Sequence, residues 1–284
     1  MQKFKTLAFL LVVSMLLFSC GEYQKVLNKG TVEDQYKMAV KMYESQKFGK
    51  AIRLFEKVTP AYRGKPQMER IQFMVAQSNF NEKNYQTAGY YFDRFAKNYP
   101  SSSKLEEASF ASALSYKLAS PEFSKDPTDT NKALEAFQSF INAFPTSDKL
   151  EEANKHYKEL RYKLQKKYFE IAKTYYTTAD YDMRNYKAAI QAFDNLLEDY
   201  LGSEFKEEAL YYRLKAAHDF TLKSYDRRKP ERIKDAMEAY DKLIRNYPET
   251  KFKVEVDKMV AKLQKEKERI DDLISKSKEL EDSK

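Results

Sequence analysis

One pattern returns five times along this 284-residue chain and decides what it can fold into. In Ala51-x3-Phe55-x2-Val58-x3-Tyr62, an alanine is followed at offsets of 4, 7 and 11 by large apolar residues. The same frame reappears as Ala88-Phe92-Phe95-Tyr99, Ala133-Phe137-Phe140-Phe144, Ala189-Phe193-Leu196-Tyr200 and Ala236-Tyr240-Leu243-Tyr247. Those offsets lie on one face of a helix with 3.6 residues per turn. Three frames end in aromatic-Pro (Tyr99-Pro100, Phe144-Pro145 and Tyr247-Pro248), where the missing N–H and the fixed proline ring stop a helix. A helix of this kind cannot shield its own apolar stripe, so it needs a partner, and the repeat supplies one.

The partner is the preceding helix. In the first two repeats it corresponds residue for residue at a shift of 37: Tyr36 with Phe73, Ala39 with Ala76, Tyr43 with Phe80, Phe48 with Tyr85. Later first helices open on Leu105-Glu106-Glu107-Ala108, Leu150-Glu151-Glu152-Ala153 and Glu207-Glu208-Ala209. Acidic residues there complement the helix dipole, and Ser103, Asp148 and Ser203 are the N-cap candidates. The arrangement resembles the tetratricopeptide repeat, without that repeat's early Trp. The second frame position recurs at intervals of 37, 45, 56 and 47 residues. These exceed the usual period of about 34, so inserts are required. Ser120 to Thr130, with Pro121 and Pro127, reads as a surface loop. A long helix from about Leu150 to Tyr176, apolar at Leu160, Leu164, Ile171 and Tyr175, is the spine joining repeats one to three with four and five. After Pro248, a stripe of Val256, Val260, Leu263, Ile270 and Ile274 caps the stack, and the charged tail beyond Ile274 frays. The fold class is all-α: a tetratricopeptide-like α-solenoid of about five helix pairs with a C-terminal capping helix.

Composition agrees. Six Gly and eight Pro are too few for a many-stranded barrel or sandwich, and 22 Tyr and 19 Phe, with no Trp, supply the packing groups. Lys and Glu alternate along the helices, which marks a solvated surface rather than a nucleic-acid groove. No nucleic-acid partner is expected.

The N-terminus sets the compartment. Lys3 and Lys5 precede an apolar run from Leu7 to Phe18, too short to span a bilayer of about 30 Å. Residues 1–19 read as a cleaved signal peptide, whose loss takes the formal charge from +8 to about +6. Leu17-Phe18-Ser19-Cys20 resembles a bacterial lipobox, with Phe18 unusual at its middle position. Cys20 is the one cysteine of the chain and is read as the lipid-attachment site; two or more acyl chains, palmitate among them, would hold the body on a membrane. No intramolecular disulfide can form.

Chemistry is harder to find. His156 and His218 are 62 residues apart with no ligand at metal spacing, so neither a metal site nor a cofactor is expected. His218 and Asp219 adjoin, but neighbouring helical residues point apart, which argues against a catalytic pair. Glu106-Glu107 read as capping charges, and Lys155, Lys158, Lys163, Lys166 and Lys167 as a solvated face or a docking strip. No catalytic residue is assigned, and the chain is read as a binding scaffold. The candidate binding residues are Tyr36, Tyr43, Phe73 and Phe80. They lie three before and four after the alanine of each first helix, on an edge turned away from the frame. They either pack between repeats or line a groove for an extended peptide.

Cys20 with Gly21-Glu22-Tyr23-Gln24-Lys25-Val26-Leu27, Ala88-Gly89-Tyr90-Tyr91-Phe92 and Lys132-Ala133-Leu134 through Phe144-Pro145 are similar to the BamD (YfiO-type) family of outer-membrane assembly lipoproteins. The stretched spacing between repeats three and four departs from that family. The resemblance implies a lipid-anchored protein on the periplasmic face of the outer membrane. It would receive unfolded barrel precursors through its N-terminal repeats and bind the periplasmic domains of a BamA-like β-barrel insertase through its C-terminal repeats. The domain reading is a lipid-anchored linker at 20–32, repeats one to three at 33–148, repeats four and five with the long helix at 149–250, and a C-terminal helix and tail at 251–284. Another periplasmic tetratricopeptide adaptor lipoprotein for the cell envelope is the alternative. A glycan-binding lipoprotein is a further one, against which the absence of Trp argues.

Overall fold

Each frame becomes the second helix of a pair because its alanine leaves room for the neighbour and its aromatics fill the space beside it. The chain, seen as a computed structural model, is described over residues 21–282. The signal peptide at 1–19 and Cys20 lie outside the described residues. No strand occurs among the described residues. Helix α1 (residues 21–29) precedes five pairs: α2 (Val32–Glu44) with α3 (Phe48–Val58), α4 (Gln67–Asn81) with α5 (Tyr85–Asn98), and α6 (Leu105–Ala119) with α7 (Thr128–Ala143). Then come α8 (Leu150–Thr178) with α9 (Arg184–Asp199), α10 (Lys206–Leu222) with α11 (Lys229–Asn246), and a last helix, α12 (Lys253–Asp282). All five frame alanines are 0% exposed, and so are Phe55, Phe92, Phe95, Phe137 and Phe193. This is the all-α, tetratricopeptide-like class expected from the periodicity.

The residues divide into two compact units. The first holds α1 to α7 and α8 as far as Leu160; the second holds α8 from Arg161 to the C-terminus, together with Glu122–Ser124. The division thus falls inside α8 rather than before it. Residues 21–29 form a helix rather than a simple linker: Tyr23 is buried against the first pair and donates its hydroxyl to the Lys50 carbonyl at 3.3 Å. The 120–130 insert is a loop up to Pro127, yet Phe123 is half-buried. Lys166 stands 4.6 Å above its ring and Lys167 donates to its carbonyl, so these lysines pin a loop instead of facing water.

Helix α8 serves two neighbours. In the first unit Ala153 and Leu160 pack with α7; in the second Phe169 and Ala172 pack with α9. That double duty requires the extra turns behind the 56-residue spacing. Leu160 and Leu164 are buried as expected, whereas Ile171 and Tyr175 are 39% and 40% exposed. The buried line shifts to Phe169 and Ala172, because this part of α8 packs on α9.

Polar ties recur at the helix ends. Ser102 donates its hydroxyl to Glu69 of α4 at 2.5 Å and accepts the Lys104 N–H at 3.0 Å. Ser147 does the same with Glu106 and Lys149, Ser203 with Gln165 and Phe205, and Thr250 with Glu207 and Phe252. The expected N-caps are corrected: Lys104 and Phe205, rather than Ser103 and Ser203, occupy the N-cap positions of α6 and α10 without a side-chain cap bond. The hydroxyls that tie the turns are Ser102, Ser147 and Ser203, with Asp148 not among them. The difference follows from double duty, since one hydroxyl must reach both the next turn and the preceding first helix. Glu106 is accordingly a tie between helices, beyond its place at the helix dipole. At the opposite ends, Gln46 and Lys83 adopt left-handed φ of 56° and 62°. Their successors Lys47 and Asn84 bond back to Met42 and Asn79, which closes α2 and α4 with Schellman turns.

Gly89 is required by a close approach: a Cβ there would meet the Tyr116 ring at 2.8 Å. The Gly89 carbonyl also accepts the Ser112 hydroxyl at 2.9 Å. In α12, Val256, Val260, Leu263 and Ile270 are buried, but Ile274 is 41% exposed. The helix continues to Asp282 instead of fraying past Ile274, supported there by a Lys276–Asp272 pair at i,i+4. Upstream, Glu266 bonds Lys229 at 2.6 Å and Arg269 at 2.8 Å, and Arg269 also pairs with Asp226.

Phe92→Ala should cost about 3–5 kcal/mol, read as a lower urea midpoint with unchanged slope, because the cavity sits in a fully packed layer. The bonds from Arg269 and Lys229 hold Glu266 at a pKa of about 2, below its ordinary 4.5. A depressed carboxylate stabilises the fold above the unfolded pKa, and that stability disappears as pH falls through the folded value. Glu266→Gln should thus cost about 1–2 kcal/mol at neutral pH, less than the full linkage value because the pair is partly wet. The difference from the unmodified protein should close between about pH 4.5 and pH 2 in a series of urea melts.

Candidate peptide-binding groove of the first two repeats

The four edge aromatics do not stand clear of the second helices. Tyr36 tilts against Tyr62 at 5.1 Å between centroids, and Tyr43 meets Phe48 edge-on at 5.8 Å. Phe73 meets Phe92 at 5.9 Å and Phe95 at 5.3 Å, and Phe80 meets Tyr85 at 5.7 Å. The expectation that this edge turns away from the frame is therefore corrected: Phe73 rests on two frame residues. The reason is size, since an aromatic on the flank of a first helix reaches across to its partner.

The stripe also continues further than the sequence suggested. Phe110 meets Phe137 and Phe140, and Phe169 meets Phe193, in the same edge-on manner. Phe110 and Phe169 are each 5% exposed, while Tyr36, Tyr43, Phe73 and Phe80 remain half-buried. Packing is thus the general role of the earlier position, which keeps accessible ring surface as Tyr36 and Phe73 but not as Phe110 and Phe169.

Two of the four rings are brought together. Tyr43 and Phe73 line a groove of about 400 Å³ with Pro66, Arg70, Phe95 and Lys104; Tyr36 and Phe80 lie outside it. Arg70 and Lys104 were not singled out from the sequence, which offers no signal to separate them from other surface cations. Lys104 stands 5.5 Å above the Phe73 ring and pairs with Glu107 at 2.8 Å, while Arg70 is 3.9 Å from Glu44. Burial, and then the nearby Glu107 charge, raises the Tyr43 hydroxyl above the usual tyrosine range. The groove thus has an apolar floor and a rim of mixed charge, with Glu44 and Glu69 beside Arg70 and Lys104.

The two histidines are tied into the helices. His156 lies against the Phe137 ring at 5.4 Å, with Glu152 and Glu159 at 3.5 and 3.3 Å. His218 and Asp219 do meet, contrary to the expectation that they point apart: Nδ1 lies 2.7 Å from Oδ1, because side chains long enough to turn sideways can bridge neighbouring helical positions. Asp219 also accepts the Tyr176 hydroxyl at 2.7 Å, which ties α8 to α10. Burial opposes the ionised form of Asp219, but the bonds from His218 and Tyr176 outweigh it and lower its pKa. His218 is 4% exposed, and its Nε2 has no hydrogen-bond partner among the described residues. Among the described residues, no three His, Cys, Asp or Glu side chains converge on a position for a metal ion.

The sequence matches the profile of the YfiO family, described as outer membrane lipoprotein, over residues 28–229 and again over 179–271. Similar proteins include the outer membrane protein assembly factor BamD of Rickettsia prowazekii (strain Madrid E), 24% identical over 229 residues covering 76% of this chain and 86% of that one. The BamD of Haemophilus influenzae is 23% identical over 185 residues, 62% of this chain and 70% of its own. The putative BamD of Aquifex aeolicus is 25% identical over 137 residues, 46% of this chain and 43% of the relative, under half of that protein's length. Among solved structures, the TPR2AB domain of yeast Sti1 in complex with pHSP90 covers 82% of this chain and 98% of its own at 14% identity. Its TM-score of 0.35 is too low for the superposition to bear on the fold. With the profile spanning most of its length, the chain belongs to the YfiO family of outer membrane lipoproteins.

Proposed function

We propose that this protein is a non-enzymatic scaffold of outer-membrane β-barrel assembly, tethered by lipid at Cys20 to the periplasmic face of the outer membrane. The observation that carries this reading is the family match across residues 28–229. It is supported by relatives named outer membrane protein assembly factors. The groove of repeats one and two receives the C-terminal segment of an unfolded barrel precursor. An apolar side chain rests between Tyr43 and Phe73, with its carboxylate toward Arg70 and Lys104. Repeats four and five bind the periplasmic domains of the barrel insertase. Binding and release are the whole of the activity, and no covalent bond of the client changes.

Tyr43→Ala combined with Arg70→Glu should weaken a barrel-derived C-terminal peptide about tenfold or more, measured by fluorescence anisotropy on the full chain. Phe80→Ala, outside the groove, should change that affinity little. Unchanged binding in the double variant, with a normal helical spectrum, would retire the groove. Affinity isolation from solubilised envelope should bring down a β-barrel insertase; a different envelope assembly in its place would transfer the protein to another adaptor role.

A further inference from the structure

Two turns of the second unit, each joining the first to the second helix of a pair, hold an aromatic ring almost wholly in water. Tyr181, between α8 and α9, is 93% exposed, and Tyr225, between α10 and α11, is 83% exposed. Both are spelled alike, Tyr181-Asp182-Met183-Arg184 and Tyr225-Asp226-Arg227-Arg228. The turns are neighbours, because Lys223 bonds Asp180 and donates to the Tyr186 hydroxyl at 3.0 Å. Met183 on the first turn is a further 41% exposed.

The charges along this edge do not cancel. Asp180 pairs with Lys223, Asp182 with Arg184, and Asp226 with Arg269 and Lys229. Every aspartate of the two turns is thereby neutralised within the fold. Arg227, Arg228 and Lys187 are exposed and make no ion pair among the described residues. Glu231 lies in the first turn of α11, and Arg232 is held over the Phe220 ring at 3.6 Å. What remains is a positive edge with two protruding tyrosines.

We propose that this edge of the second unit is a contact surface for the anionic phosphate headgroups of a phospholipid membrane. Tyrosine rings settle at the headgroup level, with the apolar body toward the acyl chains and the hydroxyl in water. Guanidinium forks match phosphate oxygens, and each cation near an anionic surface adds attraction that salt screens. Protruding tips suit a soft, flat lipid surface; the anchors of a protein interface lie in packed, water-excluding settings instead. The inference stands apart from the peptide groove and draws only on the two turns and the membrane residence of the family.

The chain has no Trp, so each substitution to Trp is a single fluorescent reporter. The purified full chain is prepared with Tyr181→Trp, Tyr225→Trp or, as control, Leu201→Trp. Leu201 is 84% exposed at the other end of α9, 16 residues or about 24 Å along the helix. On phosphatidylcholine vesicles containing roughly one-third phosphatidylglycerol, brominated acyl chains should quench the first two reporters and spare the third. Arg227→Glu with Arg228→Glu, in the Tyr225→Trp background, should bring quenching down to its value on phosphatidylcholine alone. Glutamates at these two positions, just before the first residue of α11, complement the positive end of its dipole, so the helix is retained. Quenching equal at all three positions, or indifferent to phosphatidylglycerol, would overturn the proposal. So would no quenching at Tyr181→Trp and Tyr225→Trp, which would leave the edge to a protein partner.

Discussion

The structure depends on contact between a small residue and a ring. Ala51, Ala88, Ala133, Ala189 and Ala236 are all fully buried, each one turn before a large apolar side chain. At those points a neighbouring helix comes close enough for dispersion to act over many atoms, and a larger side chain would hold it off. Gly89 takes this further, since the Tyr116 ring occupies the place a Cβ would need. Without a disulfide in the body, packing of this kind and the polar ties at the helix ends hold the pairs together.

Those ties explain what the turns are for. The aromatic-Pro ending stops the helix, and the hydroxyl two positions after the proline then fixes the next helix to the one before. Ser102, Ser147 and Thr250 follow Pro100, Pro145 and Pro248 in this way. Ser203 keeps the role where Leu201 stands in place of proline. In the second unit, acids near the first-to-second-helix turns are consumed in similar ties, which is why Arg227 and Arg228 find no counterion among the described residues.

The frames were legible because only a helix sets offsets of 0, 4, 7 and 11 on one face, and five returns of that spacing are too many for chance. The helical class and the pairs follow from it. The stripe of Tyr36, Tyr43, Phe73 and Phe80 was visible as a pattern, but its direction was not. A ring on the flank of a helix can turn either way, and the second helix decides. Arg70 and Lys104 were invisible for a related reason: among 51 basic residues, only the fold selects the two beside Tyr43 and Phe73. The bond between His218 and Asp219 was missed because backbone direction was taken for side-chain direction. The placement of Ile171 and Tyr175 failed because α8 changes partners along its length, which no single periodicity records.

The hydroxyl ties have a consequence for how the chain matures. Glu69 to Ser102 spans 33 residues, Glu106 to Ser147 spans 41, Gln165 to Ser203 spans 38 and Glu207 to Thr250 spans 43. None of these bonds waits for a distant part of the polypeptide. Topologies wired over such short separations order quickly, because little loop entropy is lost before each contact forms. A chain delivered from its N-terminus can therefore close its pairs in sequence, each finished pair offering an apolar face to the helix that arrives next.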